Sequence, residues 1–127
     1  MTGYDVIDLF KRELAAFPFR AGMISTDEFK KELLGSLYGT LNGYPESMDF
    51  SARCDQVLEG AFENFVNQMH GKYNIYGDSL VWFNSLCDGI RENLHRSWAT
   101  FIEKEKREAQ MKAESGELFG RSRKVAS

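Results

Sequence analysis

A chain of 127 residues, 43% hydrophobic and 28% charged, has the balance of one folded domain and the length to build a core without staples. Its net charge of −3 argues against a dedicated nucleic-acid binder, and no run of about 18 apolar residues is present to span a membrane. The opening MTGYDVIDLF has two Asp and no basic n-region, so it does not read as a signal peptide; Cys54 and Cys87 make no disulfide framework, and free thiols in a reducing cytoplasm are expected.

The first predicted helix runs from Thr2 to about Phe17, with Val6, Leu9, Phe10, Leu14 and Phe17 at steps of three or four. Pro18 ends it, because a proline pushes its predecessor out of the α region. The second runs from about Ser25 to Asn42, with Phe29, Leu33, Leu34, Leu37, Tyr38 and Leu41 as its apolar face. Gly35, Gly39 and Gly43 recur every fourth residue, and each interior Gly costs about 1 kcal/mol against Ala. Two readings stay open: a close helix crossing along a flat stripe, or a soft helix ending at Gly43.

The third helix is expected from about Met48 to Met69, through Phe50, Cys54, Val57, Leu58, Ala61, Phe62, Phe65, Val66 and Met69. HGKYNIYGD, residues 70–78, is a loop, and Asp78 or Ser79 caps the fourth helix. Phe83, Leu86, Cys87, Ile90, Leu94, Trp98, Phe101 and Ile102 form its stripe. Residues 103–115, EKEKREAQMKAES, are strong helix formers with one large apolar side chain, Met111. They predict a helical extension held by i,i+4 charge pairs, followed by a flexible basic tail, ELFGRSRKVAS. The fold class is therefore an all-α bundle of about four helices over 1–102, with a charged extension and tail over 103–127. Residues 1–102 carry 14 acidic and 9 basic side chains, and residues 103–127 carry 5 and 7.

GMISTDEFKKEL, residues 22–33, resembles the closing half of an EF-hand loop through Gly22, Ile24 and Glu28. The first, third and fifth loop positions would then be Phe17, Phe19 and Ala21, which offer no side-chain oxygen to an ion needing several. A helix start explains every residue instead. Ser25 is the N-cap, Glu28 completes a capping box, and Ile24 and Phe29 are placed for a hydrophobic staple.

Glu92 and His95 have the E-x-x-H spacing of di-iron bundles, but the second such pair and the further Glu are missing. They read as an exposed pair on the outer helix face. Cys54 and Cys87 lie in apolar stripes and read as small hydrophobes. No phosphate-loop, dinucleotide, nucleophile-elbow or zincin motif is present. The expected sets of catalytic residues, metal ligands and cofactors are therefore empty, and the chain does not read as an enzyme. A helix-turn-helix around PFRAGMIS would open its recognition helix with Asp27 and Glu28, which repel phosphate.

Binding features remain. Tyr73 and Tyr76 stand in the third loop, and Trp82 falls off the main stripe of its helix; covering the bundle end explains them too. Leu118 and Phe119 stand alone in the tail beside Arg121, Arg123 and Lys124. SGELF resembles, in two or three residues, the short peptides that dock on the bacterial sliding clamp, without their initial Gln and first Leu. These eight residues are the expected partner contacts. The function expected is a small cytoplasmic interaction protein, an inhibitor or adaptor of a larger machine of the phage or plasmid accessory kind. A protein partner is expected, a homodimer is compatible, and no membrane is implied. The alternative is a DNA-associated regulator using the basic tail.

Overall fold

The computed structural model describes the backbone of residues 1–126 and the side chains of residues 1–113. It is an all-α bundle of four helices: α1 (Gly3–Ala16), α2 (Thr26–Leu41), α3 (Cys54–Lys72) and α4 (Gly77–Ala126). Each helix packs on its neighbours in chain order, and α4 closes back on α1. At one end, the Met1 amine lies 3.1 Å from Asp49 and 3.4 Å from Glu105. At the other end, Lys72 reaches Glu32 at 2.9 Å, and Trp82 meets the loop before α2. The starts of α1 and α3 therefore share one end, and the starts of α2 and α4 share the other, an up-down-up-down arrangement.

The expected helix faces supply the core. Val6, Leu9, Phe10, Phe29, Leu33, Leu37, Phe62, Phe65, Phe83, Leu94 and Trp98 are fully buried. Phe29 sits among Phe65, with ring centroids 4.8 Å apart, and Phe83, at 5.8 Å. Phe101 and Ile102 are only half-buried, and residues 106–113 are all exposed, so α4 leaves the bundle beyond Glu105. Fifty residues at about 1.5 Å each give α4 roughly 75 Å of length, against about 21 Å for α1.

Local chemistry sets the helix starts. Thr2 and Asp5 form a full capping box, with Asp5 N–H donating to Thr2 Oγ1 and Thr2 N–H donating to the Asp5 carboxylate. Ser25 caps α2 as expected, accepting from Glu28 N–H at 3.3 Å. The reciprocal half of that box is not made: the Glu28 carboxylate lies 3.9 Å from the Lys72 amine instead. Ile24 and Phe29, the staple pair, are both buried.

Three expectations are corrected. The loop expected over residues 70–78 shortens to 73–76, because α3 runs on to Lys72 and α4 begins at Gly77, which places Asp78 and Ser79 inside the helix and not at its cap. The third helix starts at Cys54, not Met48. The Asp49 carboxylate accepts from both the N–H and hydroxyl of Ser51, a turn that competes with helix, and Phe50 N–H donates to the Met1 carbonyl. Of the predicted apolar face of α2, Tyr38 is exposed and Leu34 and Leu41 are half-buried, while Ser36 is buried. The α2/α3 crossing runs over small polar residues. Ser36 Oγ meets Gln68, Asn64 donates to Thr40, and a Cβ on Gly60 would come 3.1 Å from Thr40 Cγ2. Gly35 and Gly39 take no part in it: a Cβ on either would meet nothing within 4 Å.

Candidate functional site

Surface grooves among the described residues collect polar and aromatic side chains that the core leaves over, a small one of about 310 Å³ beside Arg20, Asp78 and Trp82 and three others. The first of these three lies between the start of α1, the end of α2 and the loop leading to α3, with a volume of about 360 Å³. Tyr4, Ile7, Tyr38, Leu41, Tyr44 and Pro45 line it, and Glu46 is its one charged lining residue. Its floor is fixed. Phe50 is buried, Tyr44 stacks edge-on against it at 5.4 Å, and the start of α1 at Gly3 lies against the same ring. The rim is open, with Tyr4 77% and Tyr38 41% exposed. Gly35, Tyr38, Gly39 and Asn42 follow at helical steps along the same exposed face of α2. Groove and stripe together give an apolar surface that a backbone can approach closely.

Most of these residues escaped the sequence reading. Tyr4 lies off the stripe of α1, and an off-stripe aromatic was the available signal. Of the expected contacts, Tyr76 is 74% exposed, near Val81 at 66% and away from the first groove. Tyr73 and Trp82 are engaged within the chain. The neighbouring Glu28 carboxylate, and then burial, raise the Tyr73 phenol above its usual range. Trp82 Nε1 donates to the Arg20 carbonyl at 3.1 Å. The side chains of Leu118, Phe119, Arg121, Arg123 and Lys124 lie outside the described residues.

The second groove, about 410 Å³, separates α3 from α4 and is lined by Asp55, Glu59, Glu63, Arg91 and His95, among others. His95 does not pair with Glu92 on an outer face; its Nδ1 points across to Asp55 Oδ1 at 3.5 Å. Arg91 lies over the Phe62 ring at 4.9 Å. Cys54 is half-buried at the start of α3, and Cys87 is buried in the core. Burial pushes both thiols up to about 12, so neither rests as a thiolate.

The third groove, about 630 Å³, lies between α1 and α4. Arg12, Arg96 and Lys104 line it, and none has a carboxylate partner among the described residues. Its one acid, Glu13, accepts from the Ser97 hydroxyl. No helix is long and apolar enough to cross a membrane among the described residues. No protein-family model matches the chain, and neither do any curated protein or solved structure.

Proposed function

We propose that this chain is a non-enzymatic interaction module, an adaptor or inhibitor, whose docking surface is the tyrosine-rimmed groove between α1 and α2. The observation that carries the reading is the exposure of Tyr4 and Tyr38 around an apolar, preformed floor. Exposed tyrosines beside an apolar floor can bury large area on docking at low entropic cost. The occupant is an amphipathic helix of a protein partner. Gly35 and Gly39 admit its backbone, and a basic residue on it would answer Glu46.

The test joins capture to mapping. A photo-crosslinking residue at position 38 should join the chain to one protein, recovered in stoichiometric amount by the wild type. The double variant Tyr4→Ser/Tyr38→Ser should lose that protein while keeping its helical signal and melting temperature. Equal recovery by the double variant would remove the groove from the reading, and loss on Tyr76→Ser alone would move the contact to the other end of the bundle.

A second reading, a DNA-associated regulator, draws on Arg12, Arg96 and Lys104 in the α1/α4 groove. Exposed Glu103 and Glu108 flank the same helix and oppose phosphate. Duplex binding that falls steeply with salt, and weakens on Arg96→Ala/Lys104→Ala, would favour it over the protein-docking reading.

A further inference from the structure

Cys54 and Asp55 are the first two residues of α3, and His95 faces them from α4. The Cys54 sulfur, an Asp55 carboxylate oxygen and a His95 ring nitrogen all lie within 4.8 Å of one another. We propose that these three side chains bind one transition-metal ion of the zinc class, with solvent completing its coordination from the α3/α4 groove.

The geometry is close to what such an ion needs. Ligand atoms around tetrahedral zinc stand roughly 3.3–3.7 Å apart, given bond lengths near 2.0–2.3 Å. His95 Nδ1 and Asp55 Oδ1, 3.5 Å apart, already stand at such a distance, and the remaining separations, at most 4.8 Å, must close by no more than about an ångström. Two of them have the freedom to do so, since the Asp55 and His95 side chains are 85% and 42% exposed. Cys54, half-buried against the core, is the fixed member. Because the ligands come from two helices, binding would also clip α3 to α4 across their groove.

The donor set selects the metal. One thiol, one imidazole and one carboxylate suit a borderline ion such as zinc or cobalt. Calcium and magnesium want oxygen throughout, and only one of these three donors is an oxygen. The surrounding charge favours a cation. Asp55, Glu59 and Glu63 line the groove and outnumber its one arginine, Arg91, which lies over the Phe62 ring of the same groove. As the metal–sulfur bond forms, the thiol proton leaves to solvent. Cys87 is a built-in control, being buried in the core and absent from this cluster.

Cobalt(II) is the probe. The full chain, without a histidine tag and kept reduced by a phosphine, is titrated with cobalt(II) and followed by absorbance. The expected result is one equivalent bound, visible bands of tetrahedral intensity and a near-ultraviolet sulfur-to-cobalt charge-transfer band, all displaced by zinc. Cys54→Ala should abolish the charge-transfer band, and His95→Asn should weaken binding by about 100-fold or more. Cys87→Ala should leave both unchanged. Circular dichroism on each variant confirms that the helices remain. Absence of the charge-transfer band in the wild type, its survival in Cys54→Ala, or undiminished affinity in a folded His95→Asn would each overturn the assignment.

Discussion

The indole of Trp82 fills the space that a side chain at Gly22 would need. A Cβ on Gly22 would come 2.1 Å from Trp82 Cε2 and 2.4 Å from Cζ2. The same indole donates to the Arg20 carbonyl, so one side chain of α4 fastens the loop between α1 and α2. Gly22 is thus required by close packing and not by any ion. Gly22→Ala should destabilise by about 1–3 kcal/mol, the usual cost of overpacking. In a Trp82→Ala background the same change should cost much less. Urea melts of the four proteins give the coupling, and additivity would show that the two sites do not share this space.

Ser25 carries the other half of the Gly22–Leu33 segment's structural role. It accepts from Glu28 N–H, while the Glu28 carboxylate faces Lys72 at 3.9 Å and does not reach back to the Ser25 amide. Ser25→Ala should therefore cost about 1 kcal/mol, the value of a lost N-cap. Melting temperatures measured with and without calcium should shift equally. A calcium-dependent difference would revive the loop as an ion site.

How much of this was legible depends on whether a feature is local. Val6, Leu9, Phe10 and Leu14 announced a buried face because helical periodicity is itself the signal. The start of α3 was misread because Phe50 lies one helical step before Cys54, yet its burial comes from the Asp49–Ser51 turn. Tyr38 was assigned inward because it adjoins Leu37, but the apolar arc of α2 is too narrow to bury both. The grooves were illegible for a different reason. Tyr4, Tyr38 and Pro45 come from three segments, and Cys54 meets His95 only because α3 and α4 share a seam. Trp82 falls off the stripe of its helix, which the sequence shows, but its hydrogen-bond acceptor is a backbone carbonyl 62 residues earlier in the chain, which it does not.

Gly35 and Gly39 give a test in which stability and binding move in opposite directions. Both are exposed within α2, and neither has an atom near the place of a Cβ. Replacing either with Ala should stabilise by about 1 kcal/mol, because nothing among the described residues returns the entropic cost of glycine. That corresponds to a rise of roughly 3–6 °C in melting temperature for each. If a partner helix docks on this face, the stabilised double variant should bind it less well. Stabilisation with unchanged capture would confine docking to the tyrosine groove, and loss of stability would mean that the glycines answer a contact within the chain.

Asp49 sets an acid limit on the end of the bundle where α1 and α3 begin. Its carboxylate accepts from the Ser51 N–H, the Ser51 hydroxyl and the Met1 amine, and these hold its pKa at about 2, below the ordinary 3.8. A depressed carboxylate pKa contributes stability that is fully present above the unfolded value and is lost as pH falls through the folded one. The contribution should therefore be intact above about pH 4 and decline between there and about pH 2. The Met1 amine responds in the opposite sense. Burial disfavours its charge, but hydrogen bonds to Asp49 and Glu105 outweigh this and raise its pKa above 8.0. Its contribution is present below 8.0 and fades as pH rises past the raised value. Thermal melts of wild type and Asp49→Asn across this range should differ most near neutrality and converge at the acid end. A difference that stays constant down to pH 2 would show that the carboxylate's charge plays no part in holding Ser51 and Met1.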